Sequence, residues 1–207
     1  MTCLDPSATR GAPRERLRAA LKRSASALKS ASIPFALAGS YALWVFGAPE
    51  NTHDVDLVVT EDVVEDAVRC LREDGFAVER PPEDWLFKAH LNGAMVDVLH
   101  RVNAAPVTAK LLERAVEADV LGLRIPVLPP TEVISAKLQA LSERYCDIGR
   151  LLPPVRAVRE HLDWARLNHD CAGNPYGRAF LFLADELGLD AGRSAGGASQ
   201  SVSGRLQ

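Results

Sequence analysis

Three aspartates sit where buried strand sequences have little use for them. Asp54 and Asp56 open the run Asp54-Val55-Asp56-Leu57-Val58-Val59, and Asp97 interrupts Ala94-Met95-Val96-Asp97-Val98-Leu99. Strands are depleted in Asp, and a buried carboxylate is costly unless it is paired or bound to a metal. Residues i and i+2 of a strand share a face, so Asp54 and Asp56 project side by side while Val55 and Leu57 face the opposite layer. Adjacent carboxylates push one of the pair toward protonation unless a cation compensates. Magnesium suits such a pair, because it takes one or two protein carboxylates plus phosphate oxygens. If the Asp97 strand pairs beside the Asp54 strand, three acids converge. A triad of this kind holds two metals about 3.5–4 Å apart, the arrangement used for in-line phosphoryl displacement. Taken singly, Asp54 also fits a strand start and Asp56 a wet strand face.

Gly39-Ser40 adds a second component. It follows the apolar Ala36-Leu37-Ala38 and precedes a short helical stretch. Glycine lets a backbone approach a phosphate closely. A helix opening at Ser40 aims free N–H groups at an anion, and the Ser40 hydroxyl can donate to a phosphate oxygen. An ordinary strand-to-helix turn has the same sequence, and it is the acids downstream that favour the phosphate reading.

The elements that must position these groups follow from periodicity. The pattern predicts a helix from Pro13 to Ala31 with Leu17, Ala20, Leu21, Ala25 and Leu28 on one face. It predicts a strand over 35–38, a helix over 41–46, a strand over 54–60 and an amphipathic helix over 61–74 ended by Gly75. Two strands, 85–91 and 94–99, are joined through Asn92-Gly93, a strong hairpin signal. A helix over 107–118 and an extended segment over 120–128 complete the first part. Pro129-Pro130 marks a composition change, after which helices are expected over 131–152, 155–167 and 171–187.

The expected fold class is α/β (α+β): a core with a mixed β-sheet flanked by helices, followed by a C-terminal helical region. The expected division is 13–128 for the core and 129–190 for the helical region. Tails 1–12 and 191–207, rich in Gly and Ser at the C-terminal end, are expected to be disordered.

Composition narrows the class of function. The 207 residues are 47% hydrophobic and 25% charged with a net charge of −3, which argues against a wholly basic nucleic-acid binder. A local basic patch is compatible with these numbers: Arg14, Arg16, Arg18, Lys22, Arg23 and Lys29 make the first helix basic, by default a solvated face and also the best candidate to touch an RNA backbone. No apolar run reaches the ~20 residues that span a bilayer, and no membrane partner is expected. Cys3, Cys70, Cys146 and Cys171 form neither a CxxC pair nor a zinc spacing, as expected of reduced thiols in a cytoplasmic protein.

Gly39-Ser40, Asp54-Val55-Asp56 and Asp97 together resemble the active-site pattern of the DNA polymerase β-like nucleotidyltransferase superfamily. The resemblance covers roughly residues 33–100. A further stretch, Lys137-Leu138-Gln139-Ala140-Leu141 followed by Arg144 and Asp147, resembles the AbiEii-type nucleotidyltransferase toxins of bacterial toxin–antitoxin systems. The resemblance implies a nucleotidyltransferase core, an NTP substrate, two Mg²⁺ ions on Asp54, Asp56 and Asp97, and phosphates held by Gly39, Ser40 and Lys137. It also implies Asp147 as a further active-site residue, tRNA as acceptor and a cognate antitoxin protein as partner. On one continuous helix, Lys137 and Arg144 share a face and Asp147 lies about 15 Å from Lys137 along the axis.

Two positions depart from the pattern. Glu50 stands about where a basic residue is expected before the acidic pair, and no second acid follows near Arg150. The same chemistry on an antibiotic-like small molecule, or a degenerate module that keeps only the fold, are the alternative readings.

Overall fold

A computed structural model describes residues 12–190. The expectations for 1–11 and 191–207 lie outside the described residues. In chain order the elements are α1 (Pro13–Ser30), β1 (Ala36–Ala38), α2 (Gly39–Val45), β2 (Val55–Val58), α3 (Val64–Glu73), β3 (Ala77–Glu79), β4 (Leu86–Leu91) and β5 (Ala94–Leu99). They continue with β6 (Arg101–Val102), β7 (Ala105–Pro106), α4 (Ala109–Leu112), β8 (Val116–Val120) and β9 (Leu123–Val127). The chain then turns helical with α5 (Pro130–Gln139), α6 (Ile148–Val158), α7 (Trp164–Asp170) and α8 (Pro175–Glu186). The class expected from the sequence, a mixed sheet flanked by helices and followed by a helical region, is the fold observed.

Seven strands form one sheet in the order β3-β4-β5-β2-β1-β9-β8. β2 runs parallel to β5 and β1 parallel to β9, and the remaining neighbours are antiparallel. Register lines up one row across five strands: Ala38 on β1, Asp56 on β2, Asp97 on β5, Lys88 on β4 and Glu79 on β3. The alternation of a strand sends the intervening residues to the other face. There Val55, Leu57, Val96, Val98, Phe87 and Ala89 are buried. α1 packs against β5, β9 and α3, burying Leu17, Ala20, Leu21, Ala25 and Leu28, the stripe its sequence period requires. Pro13 opens α1, and the Glu15 carboxylate accepts from the backbone N–H of Ala12 at 3.1 Å. A single apolar cluster extends from α1 through the sheet to Val155, Leu167 and Phe180 of the later helices.

Several elements differ from the sequence reading, the short β6-β7 hairpin among them. β3 went unforeseen because it is only three residues long and buries none of them fully, so no apolar run marks it. The expected helix over 107–118 shrinks to the single turn of α4. Thr108 caps it, and β8 then pairs with β9 across Leu121-Gly122, both with positive φ.

The expected continuous helix over 131–152 stops at Gln139. Asn174 is the physical reason: its Nδ2 lies within hydrogen-bonding reach of the carbonyls of Leu138 (3.3 Å), Gln139 (3.0 Å) and Leu141 (2.9 Å), which satisfies the free end of α5. Its Oδ1 accepts from the N–H groups of Tyr176 and Gly177 and so caps α8. The chain then closes a tight turn in which Ser142 and Tyr145 exchange both backbone hydrogen bonds.

Asp147 restarts the helix as the cap of α6, which carries Pro153 and Pro154 inside it. The stretch expected as a helix over 155–167 divides at Leu162 into the end of α6 with a short 3-10 turn (Arg159–His161) and α7. Among the described residues no helix is long and apolar enough to cross a membrane.

Candidate active site

β2 and β5 are parallel neighbours with Asp56 opposite Asp97, and Asp54 precedes β2 on the same face. The sheet therefore brings the three acids together: one carboxylate oxygen from each of Asp54, Asp56 and Asp97 lies within 4.8 Å of the others. Asp97 is buried, while Asp54 and Asp56 are half-buried. The donor set is all oxygen and anionic, which fits a hard divalent ion such as Mg²⁺ better than a soft transition metal.

Asp54 is held by a turn. The Asn51 amide donates to Asp54 Oδ1 at 2.6 Å and to its backbone carbonyl at 2.9 Å. The Asn51 Oδ1 accepts from the N–H groups of Thr52 and His53. Such a self-folded Asx loop fixes the carboxylate without any distant partner. Asn51 was not singled out in the sequence, although an Asn in the loop leading to an Asp-x-Asp strand is a recognisable signal.

Asp56 faces Gly39. The chain at Gly39 has φ +57°, the left-handed region, and a Cβ placed there would overlap the Asp56 carboxylate. Glycine is therefore required both by the backbone and by the acid. The N–H of Ser40 donates to Asp56. The turn in this state thus serves the acid directly. Burial, aided by the charges of Asp54 and Asp97, pushes the Asp56 carboxyl up to about 7, while Lys137 and the Ser40 N–H act against the rise. Lys137 is half-buried on α5, and its charge acts on Asp56 because α5 packs against α2, the helix that begins at Gly39.

Asp97 meets a residue that the sequence reading passed over. Lys88, its register partner on β4, places Nζ 3.2 Å from Oδ1 and 3.5 Å from Oδ2. Burial raises the Asp97 carboxyl above its ordinary value; Lys88 opposes the rise and Asp54 adds to it. A lone lysine at a half-buried strand position was the available signal.

Asp147 stands apart in its contacts. It is exposed, accepts from the N–H of Arg150 at 3.2 Å and pairs with the Arg150 guanidinium at 2.9 Å. Glu50, at the position where a base was expected, is held by both arms of the Arg18 guanidinium at 2.7 Å, with Tyr41 Oη 3.4 Å away. Arg18 in turn lies over the Trp44 ring. This lock ties α1 to the loop that leads to Asn51, so the acid in place of a base has a structural partner.

No protein-family model matches the chain, and no curated protein matches it. Solved structures do. An antigenic nucleotidyltransferase-like protein from Paracoccidioides brasiliensis aligns at TM-score 0.50 and 15% identity, over 83% of this chain and 88% of that one. The antibiotic-resistance factor ANT(2'')-Ia aligns at TM-score 0.49 and 16% identity over 84% of this chain and 95% of that one. The lincosamide antibiotic adenylyltransferase LnuA aligns at 0.48 and 12% over 70% and 96%. At 15% identity the first of these likenesses is one of architecture alone: the chain shares the fold of that nucleotidyltransferase-like protein.

Proposed function

We propose that this protein is a divalent-cation-dependent nucleotidyltransferase that moves an NMP from an NTP to an acceptor hydroxyl. The observation that carries the reading is the convergence of the Asp54, Asp56 and Asp97 carboxylates within 4.8 Å beside the Gly39-Ser40 turn. Asp54 and Asp56, joined by Asp97, would hold Mg²⁺, two ions by the resemblance. A bound divalent cation supplies charge neutralisation at the triphosphate and lowers the pKa of the attacking hydroxyl. The chain's own part is positioning. Gly39, Ser40 and Lys137 hold phosphate oxygens next to the acids. The acceptor oxygen bonds to the α-phosphorus while the bond to the β-phosphate oxygen breaks, and pyrophosphate leaves with that electron pair. The hydroxyl proton passes to the Asp97 carboxylate or, through it, to water.

For the acceptor we propose tRNA, with the protein acting as the toxin of a toxin–antitoxin pair in the cytoplasm. The support is the Lys137-Leu138-Gln139-Ala140-Leu141 motif on and just beyond α5. Asp147 enters this reading only through the same motif. The test offers each α-labelled NTP with Mg²⁺ to the protein alone, with total tRNA, and with an aminoglycoside or a lincosamide. Label in RNA that disappears with Asp56→Ala supports the reading. Label on an aminoglycoside or lincosamide instead moves the acceptor to small molecules. Absence of transfer to RNA, protein and small acceptors alike returns the chain to a module that keeps the fold without the chemistry.

A further inference from the structure

Lys88 has no role in the transfer just described, yet it sits within the acid cluster. Its ammonium lies 3.2 and 3.5 Å from the two oxygens of Asp97 and 3.5 Å from Met95 Sδ. The Lys88 side chain is 28% exposed and that of Asp97 12%. A lysine on a strand can carry its head out to water along its own stem. This one is turned inward along the row Asp56, Asp97, Lys88, Glu79.

Glu79, the acid on its other flank, lies 3.4 Å from His90 Nε2. Cohesion of the two strands does not need the pair, because β4 and β5 share six register pairs of backbone. What needs it is the charge. Three carboxylates within 4.8 Å of one another carry up to three negative charges, and Lys88 places one positive charge directly against Asp97.

We infer that Lys88 is a resident counter-cation of the cluster: it holds the Asp97 carboxylate in place and competes with divalent ions for it, thereby setting the divalent-cation affinity of the site. Lys88 is a positioning residue in this role, acting through Asp97. The inference rests on the reading of Asp54, Asp56 and Asp97 as metal ligands.

The experiment measures Mn²⁺ binding to the full nucleotide-free chain by electron paramagnetic resonance at about pH 8, where carboxylates are ionised. Lys88→Met, which keeps the apolar stem, is expected to bind Mn²⁺ about tenfold tighter than the wild type or better, since the ammonium that competes with the ion for the Asp97 carboxylate is gone. Lys88→Arg is expected to stay within about threefold of the wild type, because the charge is restored. In an Asp97→Asn background, Lys88→Met is expected to change the affinity by less than about threefold, the signature of coupling through Asp97.

Unchanged or weaker binding in Lys88→Met overturns the inference. So does a Lys88→Arg protein that behaves like Lys88→Met, or a gain that survives Asp97→Asn. Absence of Mn²⁺ binding in both the wild type and Lys88→Met overturns the metal-site reading itself. Lys88→Gln replaces Lys88→Met if the latter fails to melt cooperatively in EDTA, and the same outcomes apply to it.

Discussion

Gly39 and Asp56 occupy one another's space: the carboxylate of Asp56 lies where a side chain on residue 39 would begin. The turn and the acid, separate in sequence, form one unit in which β1 and β2 pair Ala38 with Asp56 and the next N–H, that of Ser40, donates to the acid. Gly39→Ala must displace the carboxylate and also hold a left-handed backbone at φ +57°. The combined cost is expected to be about 2–3 kcal/mol of stability, readable in urea melts. Divalent-cation binding should weaken with it. A Gly39→Ala protein with wild-type stability and Mn²⁺ affinity would show that the acid does not need the turn.

Asp56 is the member of the cluster whose ionisation is most opposed, by burial first and by the charge of Asp54 next. Asp56→Asn removes that opposition and keeps an oxygen to accept from Ser40. The metal-free variant should therefore be more stable than the wild type by about 1 kcal/mol at pH 8, while nucleotidyl transfer falls by on the order of a thousandfold. Thermal melts in EDTA and a turnover assay give the two numbers. A variant that is both less stable and fully active contradicts the assignment.

The same group fixes a pH dependence. Asp56 is pushed up to about 7 in the folded protein, above the roughly 3.9 of an unfolded aspartate. The native state thus keeps a proton that the unfolded chain has lost. The contribution to metal-free stability is complete below about pH 4 and is lost as pH rises through about 7. Metal binding runs in the opposite direction, because it requires the carboxylate. Mg²⁺ affinity should climb across this window, and binding at about pH 6 should release close to one proton per Asp56. Calorimetry in buffers of different ionisation enthalpy counts that proton. Asp56→Asn should abolish both the release and the loss of stability.

Much of the candidate site was legible because strand chemistry is local. Asp54, Asp56 and Asp97 are conspicuous as acids in apolar runs, and period-two geometry places them on one face. The parallel pairing of β2 with β5, which makes the three converge, could be posed only as a condition. Lys88 was not legible as a member of the cluster, since its meaning depends on lying opposite Asp97. The break in the helical region was hidden for the same reason. Residues 131–152 have helical periodicity throughout, and the residue that ends α5, Asn174, lies more than thirty positions away.

That asparagine carries the next prediction. Asn174→Ala leaves the carbonyls at the end of α5 without their donor and removes the cap of α8 in one step. A loss of about 2–3 kcal/mol is expected, more than either a cap or a single hydrogen bond alone. Because α5 bears Lys137, the KM for NTP should rise with it. Asn174→Asp separates the functions: it keeps the α8 cap but gives up the amide donor, and should fall between wild type and Asn174→Ala in urea melts.

Lys137 and Asp147 are expected from one sequence resemblance but occupy unlike surroundings. Lys137 lies half-buried on α5 and its charge acts on Asp56. Asp147 is exposed, caps α6 and pairs with Arg150. Lys137→Ala should therefore raise the KM for NTP by about tenfold or more through loss of a phosphate contact. Asp147→Ala separates two roles. As a cap alone it costs about 1 kcal/mol, and Asp147→Asn or Asp147→Ser, both good caps, restores it with transfer unaffected. As an active-site acid it lowers kcat by about a hundredfold or more, and neither replacement restores it. The contacts of Asp147 predict the first result. A kcat loss in Asp147→Asn at unchanged stability would instead mean that this turn moves onto the acids when the nucleotide binds.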